Sequence, residues 1–163
     1  MTTLLEDFLS GDRSQVLHAT WETIGSRDSA VLDPLVAALP RIRKATENLE
    51  LGGIFYSNNG HVEHALEKLE HYRAGRCWCA NYPGLLTYDP QKEQKSGHAR
   101  IISTSEPGWS MTYDCECTIC GQRFDIEQGD YHVTWWKWVP RGVKRRSSSA
   151  RARRCSPRCR MRA

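Results

Sequence analysis

The chain has 163 residues, 23 Lys+Arg against 19 Asp+Glu and a formal net charge of +4, which is long enough for one domain with a substantial core. No apolar run reaches the roughly 20 residues that cross a bilayer, and the opening MTTLLEDFLSGD carries acidic residues where a secretory signal needs basic ones. A cytoplasmic location is therefore expected, where thiols stay reduced and paired cysteines serve metal ligation rather than a disulfide framework.

The charge is unevenly spread. Residues 141–163 hold ten basic side chains and no acidic one, leaving 13 basic against 19 acidic in residues 1–140. An acidic body repels phosphate and suits a basic protein partner, so only the tail invites nucleic acid.

Residues 3–50 read as short helices. Leu4, Leu5, Phe8 and Leu9 form one apolar face, closed by Ser10-Gly11-Asp12, which also offers a cap to the next helix. Val16, Leu17, Thr20, Trp21 and Ile24 recur at helical spacing as far as Gly25. Ser26-Arg27-Asp28 then restarts the chain into Val31, Leu32, Leu35, Val36 and Leu39. These two helices with a Gly-Ser-x-Asp turn and a Leu-x-x-Leu step resemble a HEAT-type helical hairpin. HEAT units stack in arrays, and a single copy also reads as an ordinary hairpin. A last turn follows Pro40.

After a glycine turn at Gly52-Gly53 and a short apolar segment, residues 61–74 form the clearest helix. Val62, Ala65, Leu66, Leu69 and Tyr72 make its buried stripe, with Glu63, Glu67 and Glu70 outside. His64 and His71 stand two turns apart, wider than the single turn of a two-histidine zinc site, and read as surface or boundary residues. Residues 81–98 are polar and turn-rich, and with Tyr82 and Tyr88 they read as a long surface loop of the kind that meets partners. Ile101 and Ile102 suggest a short strand.

Residues 109–139 concentrate three of the seven cysteines and four of the six tryptophans. Trp109, Met111, Tyr113, Cys115 and Cys117 alternate with polar residues, as do Phe124 and Ile126. Gln128-Gly129-Asp130 reads as the turn into a last strand, 131–139, with aromatic residues on both faces. At the centre stands Cys117-Thr-Ile-Cys120-Gly121, a turn that presents two thiolates while the glycine's positive φ lets backbone N–H groups point at sulfur. Followed by Phe124, it resembles a zinc-ribbon knuckle, although the second Cys-x-x-Cys of a ribbon is replaced by Cys77-Trp78-Cys79 upstream. The expected structural Zn2+ ligands are Cys77, Cys79, Cys117 and Cys120, with Cys115 and then His132 in reserve. Buried reduced thiols without metal are the plainer reading.

Enzyme templates are missing: there is no Gly-x-Ser-x-Gly, P-loop, dinucleotide fingerprint or His-Glu-x-x-His, and His61-Val62-Glu63 supplies only half of a zinc-deaminase pattern. An acidic body with no catalytic constellation resembles, in type, the immunity proteins of bacterial polymorphic-toxin and contact-dependent inhibition systems. That resemblance implies a non-enzymatic, antitoxin-like inhibitor that occludes a basic toxin domain. Trp135, Trp136, Trp138, Tyr82 and Tyr88 are the expected contact residues. The alternative is a zinc-dependent nucleic-acid binder, in which exposed tryptophans stack on bases.

The chain thus reads as α+β, with N-terminal helical hairpins packed on a small antiparallel β-sheet that carries a structural zinc site. A helical region, 1–76, and a zinc-stapled β region, 77–140, make one compact domain. The basic tail, 141–163, has too few large apolar residues to fold and reads either as a disordered arm for anionic surfaces or as out-of-frame translation.

Overall fold

The computed structural model describes residues 3–53 and 57–142. The expectations for residues 54–56, for the tail from 143 onward and for Cys155 and Cys159 lie outside the described residues. Two compact units result, one within Met1–Arg76 and one beginning at Cys77. Together they contain helices and a four-stranded antiparallel sheet, an α+β chain, and no described helix is long and apolar enough to cross a membrane.

The first unit is helical, and side-chain caps set its boundaries. Helix α1 (Leu4–Leu9) begins with a reciprocal cap, in which the Glu6 amide donates to the Thr3 hydroxyl at 3.3 Å and the Thr3 amide to the Glu6 carboxylate at 2.7 Å. Asp12 caps α2 (Arg13–Gly25), Asp28 caps α3 (Ser29–Ala37) and Ser57 caps α5 (Asn58–Arg73), while α4 (Leu39–Thr46) starts on Pro40. The buried residues Phe8, Val16, Leu32, Leu35, Ile42 and Leu69 are contributed by all five helices. Helix α2 packs chiefly on α1 and α5, and α3 on α5 and α1, so each half of the pair expected to resemble a HEAT hairpin leans on other helices.

The stripe on α5 is broader than its apolar periodicity indicates, because His64 and Lys68 are buried with it. Lys68 is 0% exposed; its ammonium donates to the carbonyls of Thr23, Ile24 (2.6 Å) and Ser26 (2.6 Å), which α2 leaves without helical partners at its C-terminus. His64, expected at the surface or boundary, is in the core, and burial lowers its pKa to about 4.

The second unit is a meander in the order β1 (Ala99–Thr104), β2 (Met111–Cys117), β3 (Arg123–Tyr131), β4 (Val133–Pro140), every pair antiparallel. A bulge at Ile102 shifts the β1–β2 register and leaves that side chain exposed. On one face Tyr113, Cys115, Cys117, Phe124, Ile126 and Trp138 are buried. The segment before β1 covers that face with a 3-10 turn (Trp78–Gly84) and helix α6 (Pro90–Lys95). The stretch expected as a surface loop is therefore a lid on the core. The Tyr82 ring lies 4.2 Å from that of Trp138 and 5.2 Å from that of Tyr88, and its hydroxyl donates to Glu93 at 2.8 Å. The Trp138 indole N–H donates to the Tyr88 carbonyl at 2.7 Å. Tyr82, Tyr88 and Trp138, expected as partner contacts, are core residues, because their rings fill the space between lid and sheet.

Two turn expectations also change. Gln128-Gly129-Asp130 is not a turn: β3 continues to Tyr131, and the reversal is centred on His132, whose φ is 61°. Gly129 makes room for an indole instead, since a Cβ there would lie 2.1 Å from the Trp135 ring. Trp109 is in the loop before β2 rather than on the strand, because the turn at Glu106-Pro107-Gly108 delays the ladder until Met111.

Candidate metal centre

Two local structures bring four sulfurs together within the second unit. Cys77 immediately precedes the 3-10 turn and Cys79 lies in its first residues, so the short spacing of two still turns both side chains the same way. Cys117 ends β2, and Cys120 follows on a turn closed by the Gly121 amide donating to the Cys117 carbonyl at 2.9 Å, with Gly121 at φ 76°. Thr118 anchors that turn: its hydroxyl donates to the carbonyls of Gly97 (2.8 Å) and His98 (3.0 Å). The Sγ atoms of Cys77, Cys79, Cys117 and Cys120 all lie within 4.8 Å of one another, and theirs is the one such group among the described residues. Two contacts run between the segments, 3.6 Å for Cys77 to Cys117 and 3.4 Å for Cys79 to Cys120.

That geometry fits a metal ion. A tetrahedron of thiolates with metal–sulfur bonds of about 2.3 Å has edges of about 3.8 Å, and the two measured edges are a few tenths of an ångström shorter. Backbone polarity is arranged to match. The amides of Ile119 and Cys120 donate to the Cys117 sulfur, and the Cys79 amide donates to that of Cys77. Hydrogen bonds from Cys77 and Cys79 hold the Cys117 thiol far below its ordinary range, whereas sharing with Cys117 pushes Cys77 up to about 12 and Cys79 upward. A cation that binds all four sulfurs displaces the protons that the thiols carry.

The reserve ligands are elsewhere. Cys115 points into the core between Ile101 and Phe124, and burial pushes its thiol up to about 12, so it serves as a small apolar side chain. His132 is at the far end of the sheet, separated from the knuckle by the length of β3, about 25 Å of extended chain. His61 and Glu63, the half deaminase pattern, belong to α5 of the first unit, and the cluster contains neither.

Of the remaining expected contacts, Trp136 is half-buried against the core face, its indole N–H on Gln128 at 3.1 Å and its amide on the Leu86 carbonyl at 2.9 Å. Trp135 is half-buried over Gly129 on the opposite face. That face carries a charge lattice near the knuckle end. Arg123 meets Asp114, while Arg141 reaches Asp114 at 3.2 Å and Asp125 at 2.9 Å and holds the Asp125 carboxyl below its usual range. Arg141, counted in sequence with the tail, therefore closes the sheet.

The three most exposed large apolar residues lie at the other end, around the β1–β2 loop and the β3–β4 turn, while Ile119 and Val139 are exposed at the knuckle end. Trp109 is 89% exposed, Tyr131 73% and Val133 62%. The sequence contains a signal for Trp109 that alternation obscured, since a residue directly after Pro-Gly is placed by the turn rather than by the strand. No family model, curated protein or solved structure matches this chain.

Proposed function

We propose that Cys77, Cys79, Cys117 and Cys120 hold a structural zinc ion, and that the protein acts without catalysis. It would bind a partner protein of basic surface in the manner of an immunity or antitoxin-type inhibitor. Soft thiolate donors in a tetrahedral set suit zinc, and four protein ligands leave no position at the metal for a substrate. Iron is the competing ion for four thiolates, and its charge-transfer colour distinguishes it from colourless zinc.

The observation that carries the binding role is the exposure of Trp109, Tyr131 and Val133 at the end of the sheet away from the cysteines. Large side chains held clear of any core mark an interaction surface, and tryptophan and tyrosine are the residues that most often anchor one. The charge around them selects the partner. Glu106 and Asp130 are exposed at this end, and no lysine or arginine occurs in 101–122 or 124–136. A basic protein surface complements that arrangement, while a phosphate backbone is repelled by it.

The test uses the full chain and its Trp109→Ala/Tyr131→Ala variant as paired baits in host extract, with and without nuclease. The expected result is a stoichiometric basic protein held by the native chain, insensitive to nuclease and lost with the variant while zinc content is unchanged. Material that nuclease removes would favour the nucleic-acid reading, and equal capture by both baits would refute this surface.

A further inference from the structure

We infer that the cysteine cluster is also a site of oxidative modification by hydroperoxides, in which Cys120 reacts first and the product is a pair of cross-segment disulfides, Cys79–Cys120 and Cys77–Cys117. The inference rests on reading the cluster as the zinc centre, and the argument is one of access and distance.

Among the four sulfurs only Cys120 belongs to an exposed residue; Cys79 and Cys117 are buried and Cys77 is half-buried. A small peroxide therefore meets Cys120 before the others. The Cys120 thiolate attacks one peroxide oxygen, the O–O bond breaks, hydroxide leaves, and Cys120 becomes a sulfenic acid. The sulfur of Cys79 lies 3.4 Å away on the 3-10 turn. The Cys79 thiolate attacks the sulfenic sulfur, the S–O bond breaks and a second hydroxide departs. One peroxide has accepted two electrons, and two thiolates have supplied them. Closing from 3.4 Å to a disulfide bond of about 2.0 Å is a movement of about 1.4 Å.

A zinc ion held there would be left with Cys77 and Cys117, too few ligands to keep it, and would pass to solvent. These two sulfurs are 3.6 Å apart, and a second peroxide joins them by the same two displacements. The pairing has a structural consequence. Both disulfides run between the 3-10 turn and the β2–β3 knuckle, so oxidation replaces the metal staple with a covalent one between the same segments. Disulfides within each motif, Cys77–Cys79 and Cys117–Cys120, would instead leave the turn and the knuckle untied.

The experiment takes full-length, zinc-loaded protein with Cys155→Ser and Cys159→Ser, so that thiols outside the described residues take no part. It is titrated with hydrogen peroxide in the presence of a chromogenic zinc chelator. Peptide mass spectrometry under non-reducing conditions maps the bonds, and dimedone traps sulfenic acid early in the reaction. The expected result is dimedone on Cys120, zinc release complete at about one peroxide per site and the two cross-segment disulfides complete at about two, an unmodified Cys115 and an unchanged far-ultraviolet spectrum. Disulfides within the motifs, dimedone mainly on another cysteine, or loss of the sheet spectrum on oxidation would overturn the inference. Failure of the zinc reading is separately visible, as purified protein that carries no zinc before any peroxide is added.

Discussion

The two units solve the same stability problem with different materials. The first spreads its apolar side chains over five helices that enclose one another, caps four helix starts with Thr3, Asp12, Asp28 and Ser57, and uses a buried ammonium, Lys68, to satisfy a helix end. The second is a sheet covered on one face only; its other face is the charged lattice around Asp114, Asp125, Arg123 and Arg141. A single covered face buries less apolar area, and the aromatic lid over it is a 3-10 turn with a six-residue helix. On the zinc reading proposed above, an ion held by four thiolates at the junction of lid and sheet supplies what area does not. Small units with limited cores depend on such cross-links, and a structural zinc contributes on the order of 10 kcal/mol in small folding peptides.

The strongest way to break this contrast is to remove the staple. Cys79→Ser, or a strong chelator under reducing conditions, should unfold the second unit while α1 to α5 keep their amide protection. Hydrogen exchange read separately over residues 3–53 and 77–142 checks this, and simultaneous loss in both would mean that the units do not stand on separate supports.

The converse experiment targets the first unit. Lys68→Ala leaves carbonyls at the end of α2 without their donor and should cost about 3 kcal/mol, measured by denaturant unfolding, with zinc content unaltered. The same unit should be acid-sensitive through His64, whose folded pKa of about 4 lies below the ordinary value of 6.5. Because the folded pKa is the lower one, this contribution is complete above pH 6.5 and is lost as the pH falls to 4. The total is about 3 kcal/mol. His64→Leu should flatten that dependence, as unfolding midpoints across the range would reveal.

Within the second unit, Gly129→Ala should expel the Trp135 indole and cost about 1–2 kcal/mol, visible as a shift in tryptophan emission with the metal retained. Smallest of all, ending the chain after Pro140 rather than after Arg141 removes the Arg141 ion pairs with Asp114 and Asp125, its amide's bond to the Arg123 carbonyl and the bond its carbonyl accepts from Gln122. The denaturation midpoint should drop slightly, and less so as salt is raised.

How much was legible in the sequence follows the range of the interactions. Helix starts were readable because a cap acts on the next three residues, as Asp12 and Asp28 do. The knuckle was readable because Cys-x-x-Cys-Gly is a local turn with a fixed φ at Gly121. Alternation along 111–117 correctly placed Tyr113, Cys115 and Cys117 on one face. Tyr82, Tyr88 and Trp138 were misplaced because polar, proline-rich composition describes a segment's own backbone and is silent about what its few aromatic residues cover. Gly129 was misread as a turn residue because the reason for a glycine there is the Trp135 ring on the neighbouring strand. Lys68 follows the same pattern, since its burial depends on the carbonyls at the end of α2, 42 to 45 residues earlier in the chain.

The sequence by itself pointed to the cysteine pairs at 77/79 and 117/120 as candidate ligands, with Cys115 in reserve, since a Cys-x-x-Cys-Gly turn presents two sulfurs together. It also determined that the body is acidic. Only the tertiary structure decided that Cys115 belongs to the core and that the aromatic lid is buried while Trp109 and Tyr131 stand in solvent. Those outcomes depend on which surfaces meet, and burial is a property of pairs of segments that no single stretch of sequence encodes.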